Sequence, residues 1–200
     1  MKHISLLAIA LISLSLGACS STMKAVKPDV TGSFPTKDAL KPEEILVNEP
    51  LPLADYRRLA FIQAGDRGES YEDFIQESVS NIGFFQKVLN KQGFEQELIT
   101  SGKSDSVSNI SDLIGLRQAA KAYGPFLVVR TNVEWLGGYD YTASIEAIDP
   151  VTGRTHFHAK RKAFNWAGLD KPLFYPLFNG FLSWVNANKQ APAASAPAQN

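Results

Sequence analysis

The sequence predicts a single small α/β (α+β) sandwich, a mixed sheet covered by helices in the order β-α-β-α-β-β-β-α. Three observations predict it. Apolar residues recur at every second position through 127–135, 139–147 and 155–161, the period of strands with one face buried. They recur every third or fourth position through 71–89, 113–123 and 173–185, the period of amphipathic helices. Asp149-Pro150-Val151-Thr152-Gly153 is a hairpin connection, because proline presets φ in the turn and glycine supplies the positive φ that closes it. A half-apolar sheet must be covered, and the helices supply the cover.

In chain order, Tyr56–Gln63 (YRRLAFIQ) reads as a strand ending in Ala64-Gly65-Asp66. Ser70 is placed to cap a helix carrying Tyr71, Phe74, Ile75, Ile82, Phe85 and Leu89 on one stripe, with Gly93 as its stop. Phe94–Thr100 follows as a short strand, and 101–111 is a polar Ser/Gly loop. Asp112–Tyr123 reads as a second helix with Leu113, Leu116, Ala120 and Tyr123 on one face and Gly124-Pro125 as its stop. Leu127, Val129, Thr131, Val133 and Trp135 share one strand face, and Gly137-Gly138 breaks the strand. Tyr139, Tyr141, Ala143, Ile145 and Ala147 share a face of the next. Thr155, Phe157, Ala159 and Arg161 line the inner face of the returning strand. Pro172–Asn188 reads as the last helix, striped by Leu173, Leu177, Phe181, Trp184 and Val185.

The ends have a different character. Lys2, an apolar run from Ile4 to Leu16, and Leu16-Gly17-Ala18-Cys19 have the anatomy of a secretory signal peptide: positive start, apolar middle, small residues at the cleavage site. The run is shorter than the roughly 20 residues a membrane span needs. A cysteine at the cleavage position makes this segment resemble the lipobox of bacterial lipoproteins. That resemblance implies cleavage after Ala18 and lipid on Cys19. With Ser20 rather than Asp next, it also implies an outer-membrane location facing the periplasm of a Gram-negative bacterium. Cys19 is the only cysteine, so a lipidated chain keeps no thiol for a disulfide or a metal. The domain limits follow: signal peptide 1–18, lipidated N-terminus and flexible linker 19–52, folded domain 53–188, and a disordered Ala/Pro tail 189–200. Pro28, Pro35, Pro42, Pro50 and Pro52 interrupt the linker. Within it, Glu43–Val47 suits a helical turn or a strand. Fully extended, the linker reaches about 110 Å; as a coil, about 30 Å.

The element order, the D-x-x-T-G hairpin and the lipobox together make the folded block similar to the small N-terminal domain of the translocation protein TolB. It also resembles lipoprotein activators of penicillin-binding proteins and the curli-secretion lipoprotein. This resemblance implies an envelope protein that binds another protein.

No constellation argues for catalysis or a cofactor. His156 and His158 flank Phe157 on one strand, with Glu146 the nearest candidate third ligand. A metal site needs three or four ligands, and the pair reads instead as a solvated face continued by Lys160 and Lys162. There is no G-x-S-x-G elbow, and Gly65-Asp66-Arg67-Gly68 lacks the G-K-[ST] ending of a phosphate loop. Lys+Arg and Asp+Glu are both 20, which argues against nucleic acid as the main partner. The aromatic residues point to binding. Trp135 and Tyr139 flank the Gly-Gly break, while Trp166, Phe174, Tyr175 and Phe178 crowd a helix that one apolar stripe cannot fully bury. With Lys160 and Lys162 beside them, these are the candidate partner-binding residues. The function they suggest is a non-catalytic, lipid-anchored adaptor. The alternatives are a subunit of an oligomeric secretion or conjugation-type complex and, more remotely, a cell-wall or lipid hydrolase.

Overall fold

The structure is a computed structural model that describes residues 23–65, 71–165 and 168–190. The signal segment, Cys19, the Asp66–Ser70 part of the first loop, Trp166 and the tail from 191 lie outside the described residues.

Six strands form one mixed sheet: β1 (Ile45–Asn48), β2 (Leu59–Ala64), β3 (Lys87–Leu89), β4 (Leu127–Gly137), β5 (Asp140–Ile148) and β6 (Thr155–Phe164). Their spatial order is β1-β6-β5-β4-β2-β3. β2 is parallel to both β3 and β4, and the other pairings are antiparallel. Four α-helices accompany them among the described residues: α1 (Glu72–Asn81), α2 (Lys91–Thr100), α3 (Leu113–Tyr123) and α4 (Tyr175–Asn188). A π-helical turn, Asp170–Phe174, leads into α4. This is the expected α+β class.

The sheet alternation decides where each helix packs. Ala60, Ile62, Val129, Val133, Ala143, Ile145, Phe157 and Ala159 face a core shared with α1 and α4. Leu59, Phe61, Val128 and Ile148 face a smaller core closed by Phe94 and Leu98 of α2 and Leu116, Ala119, Ala120 and Tyr123 of α3.

The 70–93 region divides differently from the periodic reading. α1 stops at Asn81, and Gly83 turns the chain at φ 73°. β3 then carries Val88 opposite Ala60. Ile82 and Phe85 reach the same core as Phe74 and Ile75, as does Val88 of β3, while Leu89, expected on that stripe, packs against the smaller core; a helix, a turn and a strand together imitate most of one long stripe. The expected strand 94–100 is α2. Asn90 accepts a hydrogen bond from the Gly93 N–H at 2.9 Å, and this cap starts a helix that buries Phe94 and Leu98 one turn apart.

The segment read as a flexible linker is docked over the part described. Met23, Ala25 and Val26 pack against the larger core. Asn81 donates to the Val26 carbonyl at 3.3 Å. Phe34 is buried, and its backbone exchanges hydrogen bonds with the Asn179 amide at 2.7 and 3.1 Å. Arg161 holds the next stretch, donating to the Ala39 carbonyl and the Glu44 carboxylate. β1 then joins the sheet edge beside β6. Frequent prolines prevent the segment from satisfying its own backbone, and side chains of α4 and β6 supply partners instead. Residues 23–53 therefore strap the helical face rather than extend from it.

A polar cluster ties α2, α3 and the sheet together. Lys87 and Tyr123 donate to the Glu97 carboxylate at 2.7 Å, and the Arg58 guanidinium lies 4.0 Å over the Tyr123 ring. Lys87 first and Tyr123 second hold the Glu97 carboxyl below its ordinary value. Burial first, then Glu97, pushes the Tyr123 phenol up to about 12. A raised folded-state value means that this stabilisation is complete below about 10 and is lost as pH rises through about 12. The expected result is an alkaline fall in melting temperature over that window, with late tyrosinate absorbance. In Tyr123→Phe both the fall and the late absorbance step should shrink; an unchanged titration would contradict the assignment.

Candidate protein-interaction surface

β2 pairs with β4 only from Leu127 to Thr131. β4, β5 and β6 continue beyond it as a three-stranded tongue ending in the β4–β5 turn. Gly137 and Gly138 make that turn at φ 111° and 59°, values that disfavour any residue with a Cβ. The ladder slips between Trp135 and Gly137, just past Trp135. Its indole N–H donates to the Gly138 carbonyl at 2.9 Å, so its polar atom is satisfied while the ring stays half exposed.

Four large apolar side chains gather at this tip: Trp135, Leu136, Tyr139 and Phe164, exposed by 51, 46, 57 and 53%. The Tyr139 and Phe164 rings lie 5.6 Å apart, and the Asn165 N–H donates to the Tyr139 carbonyl at 2.6 Å. Lys162 pairs with Asp140 at 3.4 Å, and exposed Lys160 lies opposite Ser144 on the same sheet face. An apolar centre with a charged rim is the anatomy of a protein interface.

Trp135, Tyr139, Lys160 and Lys162 thus all lie on the tongue beyond β2, but the register puts Lys160 and Lys162 on one sheet face and Trp135, opposite Tyr141, on the other. Phe174, Tyr175 and Phe178 do not join them and are no interface residues. They are 2, 2 and 1% exposed and form an aromatic cluster with Phe34 and Phe74 at centroid distances of 5.3–6.4 Å. α4 is covered by the sheet, by α1 and by the docked strap, so rings off its main stripe are buried too. Arg161, expected on the inner face, does turn inward, to Glu44 and Asp38. Leu136 and Phe164 were not singled out from sequence. Their signal was position: each ends an alternating strand beside the turn.

The histidine pair separates. His156 is buried with its Nδ1 3.1 Å from the Pro50 carbonyl oxygen, which corrects its reading as solvated, while His158 lies opposite Glu146. Among the described residues no group of three or more His, Cys, Asp or Glu is arranged to hold a metal.

No protein-family model matches the sequence, and no curated protein matches it. Among solved structures, the chain is similar to the LpoB C-terminal domain from Salmonella enterica, with 12% identity and a TM-score of 0.39 over 56% of this chain and 85% of that one. It is similar to the chain of the PelC dodecamer from Paraburkholderia phytofirmans, with 13% identity and a TM-score of 0.39 over 74% and 98%. A Neisseria meningitidis lipoprotein shows 11% identity and a TM-score of 0.36 over 65% and 93%. At these values the likenesses carry no argument about function.

Proposed function

We propose that this chain is a non-catalytic, lipid-anchored envelope protein that presents the β4–β5 tip to a protein partner. The observation that carries the reading is the group of four half-exposed apolar side chains at that tip. Aromatic anchors ringed by polar groups supply most of the affinity in protein interfaces. The Leu16–Cys19 segment supplies the anchor, with Ser20 favouring the outer membrane and the periplasmic side. Anchoring raises the effective concentration of the domain near a partner at the envelope. A cell-wall synthase or an envelope assembly is the partner class proposed.

A photo-crosslinking residue at Leu136 in living cells tests this. The expected result is one specific protein adduct. Trp135→Ala should weaken that complex by about 30-fold or more, since interfacial hot spots contribute about 2 kcal/mol or above, without changing the melting temperature. A tip that yields no protein adduct would sink the reading. Self-adducts alone would replace it with a subunit contact in an oligomer.

A further inference from the structure

The end of the sheet opposite the tip is basic. The register places the starts of β2, β3 and β4 together there, and α1, α3 and α4 all finish there. Arg57 and Lys189 line one crevice with Ile82, Gly83 and Phe84, the residues just after α1. Lys24 and Lys27 flank Val26, whose carbonyl is held by Asn81 at the end of α1. Arg58 stacks on Tyr123, two residues after Lys121. All six cations are exposed. The carboxylates on these same segments are Asp29, bound to Thr31 and Ser33, and Asp55; the β5–β6 turn at the same end adds Asp149, which is buried, and Glu49 beside it is paired with Arg154, as Lys87 is with Glu97. The whole chain has a formal net charge of +0, so this excess is local. Glu72, Asp73 and Asp112 sit at the other end, where α1 and α3 begin.

The chain's own N-terminus leads to this basic end. Only Ser20, Ser21 and Thr22 separate Cys19 from Met23, and Met23 is packed on the domain. Four residue steps span at most about 14 Å, whereas the eleven residues of β4 set the tip about 34 Å away.

We propose that this basic end docks on the anionic phospholipid headgroups of the leaflet that carries the anchor, so that the domain stands on the membrane with its aromatic tip pointing away. The proposal rests on the lipid-anchored reading for its tether. Acyl chains and a basic patch together form a two-signal attachment, and each Lys or Arg near an anionic surface strengthens binding about fivefold.

The test uses the lipidated protein in phosphatidylcholine vesicles, with and without phosphatidylglycerol, containing a headgroup-quencher lipid. With Cys19 consumed by lipid, a fluorophore can be attached through Ser80→Cys at the basic end or Leu136→Cys at the tip. The base label should be strongly quenched and the tip label not, only when phosphatidylglycerol is present. The combined Lys24→Gln, Lys27→Gln, Arg57→Gln and Lys189→Gln variant, whose melting temperature should be unchanged, should lose the contrast. In the soluble Cys19→Ala form the same changes should weaken sedimentation with anionic vesicles by more than about a hundredfold at low salt. Quenching indifferent to phosphatidylglycerol and to the four substitutions would overturn the proposal while leaving the anchor intact. Protein made in cells that carries no lipid and does not float with vesicles would overturn the anchored reading instead, and anionic-vesicle binding by the Cys19→Ala form would still uphold the basic surface. Tighter binding to a DNA duplex than to vesicles at equal charge would reassign the patch.

Discussion

Phe178→Ala is expected to lower the stability of the folded chain by about 3–5 kcal/mol, the range for removing a fully buried aromatic ring. The Phe178 ring is 1% exposed and lies 5.3 Å from Phe34, 5.8 Å from Phe74 and 6.1 Å from Phe174. Those neighbours belong to the strap, to α1 and to the turn before α4, so the cavity would open where three separate segments meet. Collapse around it would require all three to shift, which places the cost toward the upper part of the range. For a domain of this size the melting temperature should fall by about 10 °C or more. Partner binding by the fraction that stays folded should be unaffected. A variant that melted like the parent but lost its partner would return Phe178 to the interface and would contradict the packing of α4. Trp135→Ala is the contrasting case, with binding lost and stability kept.

Cys19→Ala should move nearly all of the protein from the membrane fraction to the soluble one. One acyl chain alone gives marginal, reversible attachment, and several hold firmly, so removing the single lipidation position should abolish the anchor outright. The melting temperature should not change, because Cys19 precedes the first packed residue, Met23. Fractionation together with labelled-palmitate incorporation checks this. Continued membrane recovery with label still incorporated would place the lipid elsewhere. Full function of the soluble form in cells would make the tether incidental and remove the basis for a positioning mechanism.

Comparison of these two residues shows what was legible. The proposal for Cys19 rests on four neighbouring residues, because a processing signal is recognised as a local string. Phe178 could not be placed, because a helix with apolar residues all around it is compatible with burial on several sides or with an exposed face. Tip residues Trp135 and Tyr139 were legible because Gly137-Gly138 marks a turn, and a turn in a hairpin ends at the surface. Phe85 and Leu89 were misassigned to a helix for a definable reason: periodicity reports that residues face a core, not which core or which backbone carries them there. The strap was missed because proline-interrupted sequence signals only that a segment cannot pair with itself.

By itself, then, the sequence determined the quantities that depend on near neighbours. These are the alternation of β4, β5 and β6, the Asp149–Gly153 turn, and the α+β class that follows from them. Tertiary structure alone decided the docking of residues 23–53, the burial of Phe174, Tyr175 and Phe178, and the separation of an aromatic tip from a basic base. Each of those depends on contacts between residues far apart in the chain, such as Phe34 with Asn179 and Leu51 with Asn188. Local propensity is blind to such contacts, because side chains from distant segments meet only once the sheet has brought them together.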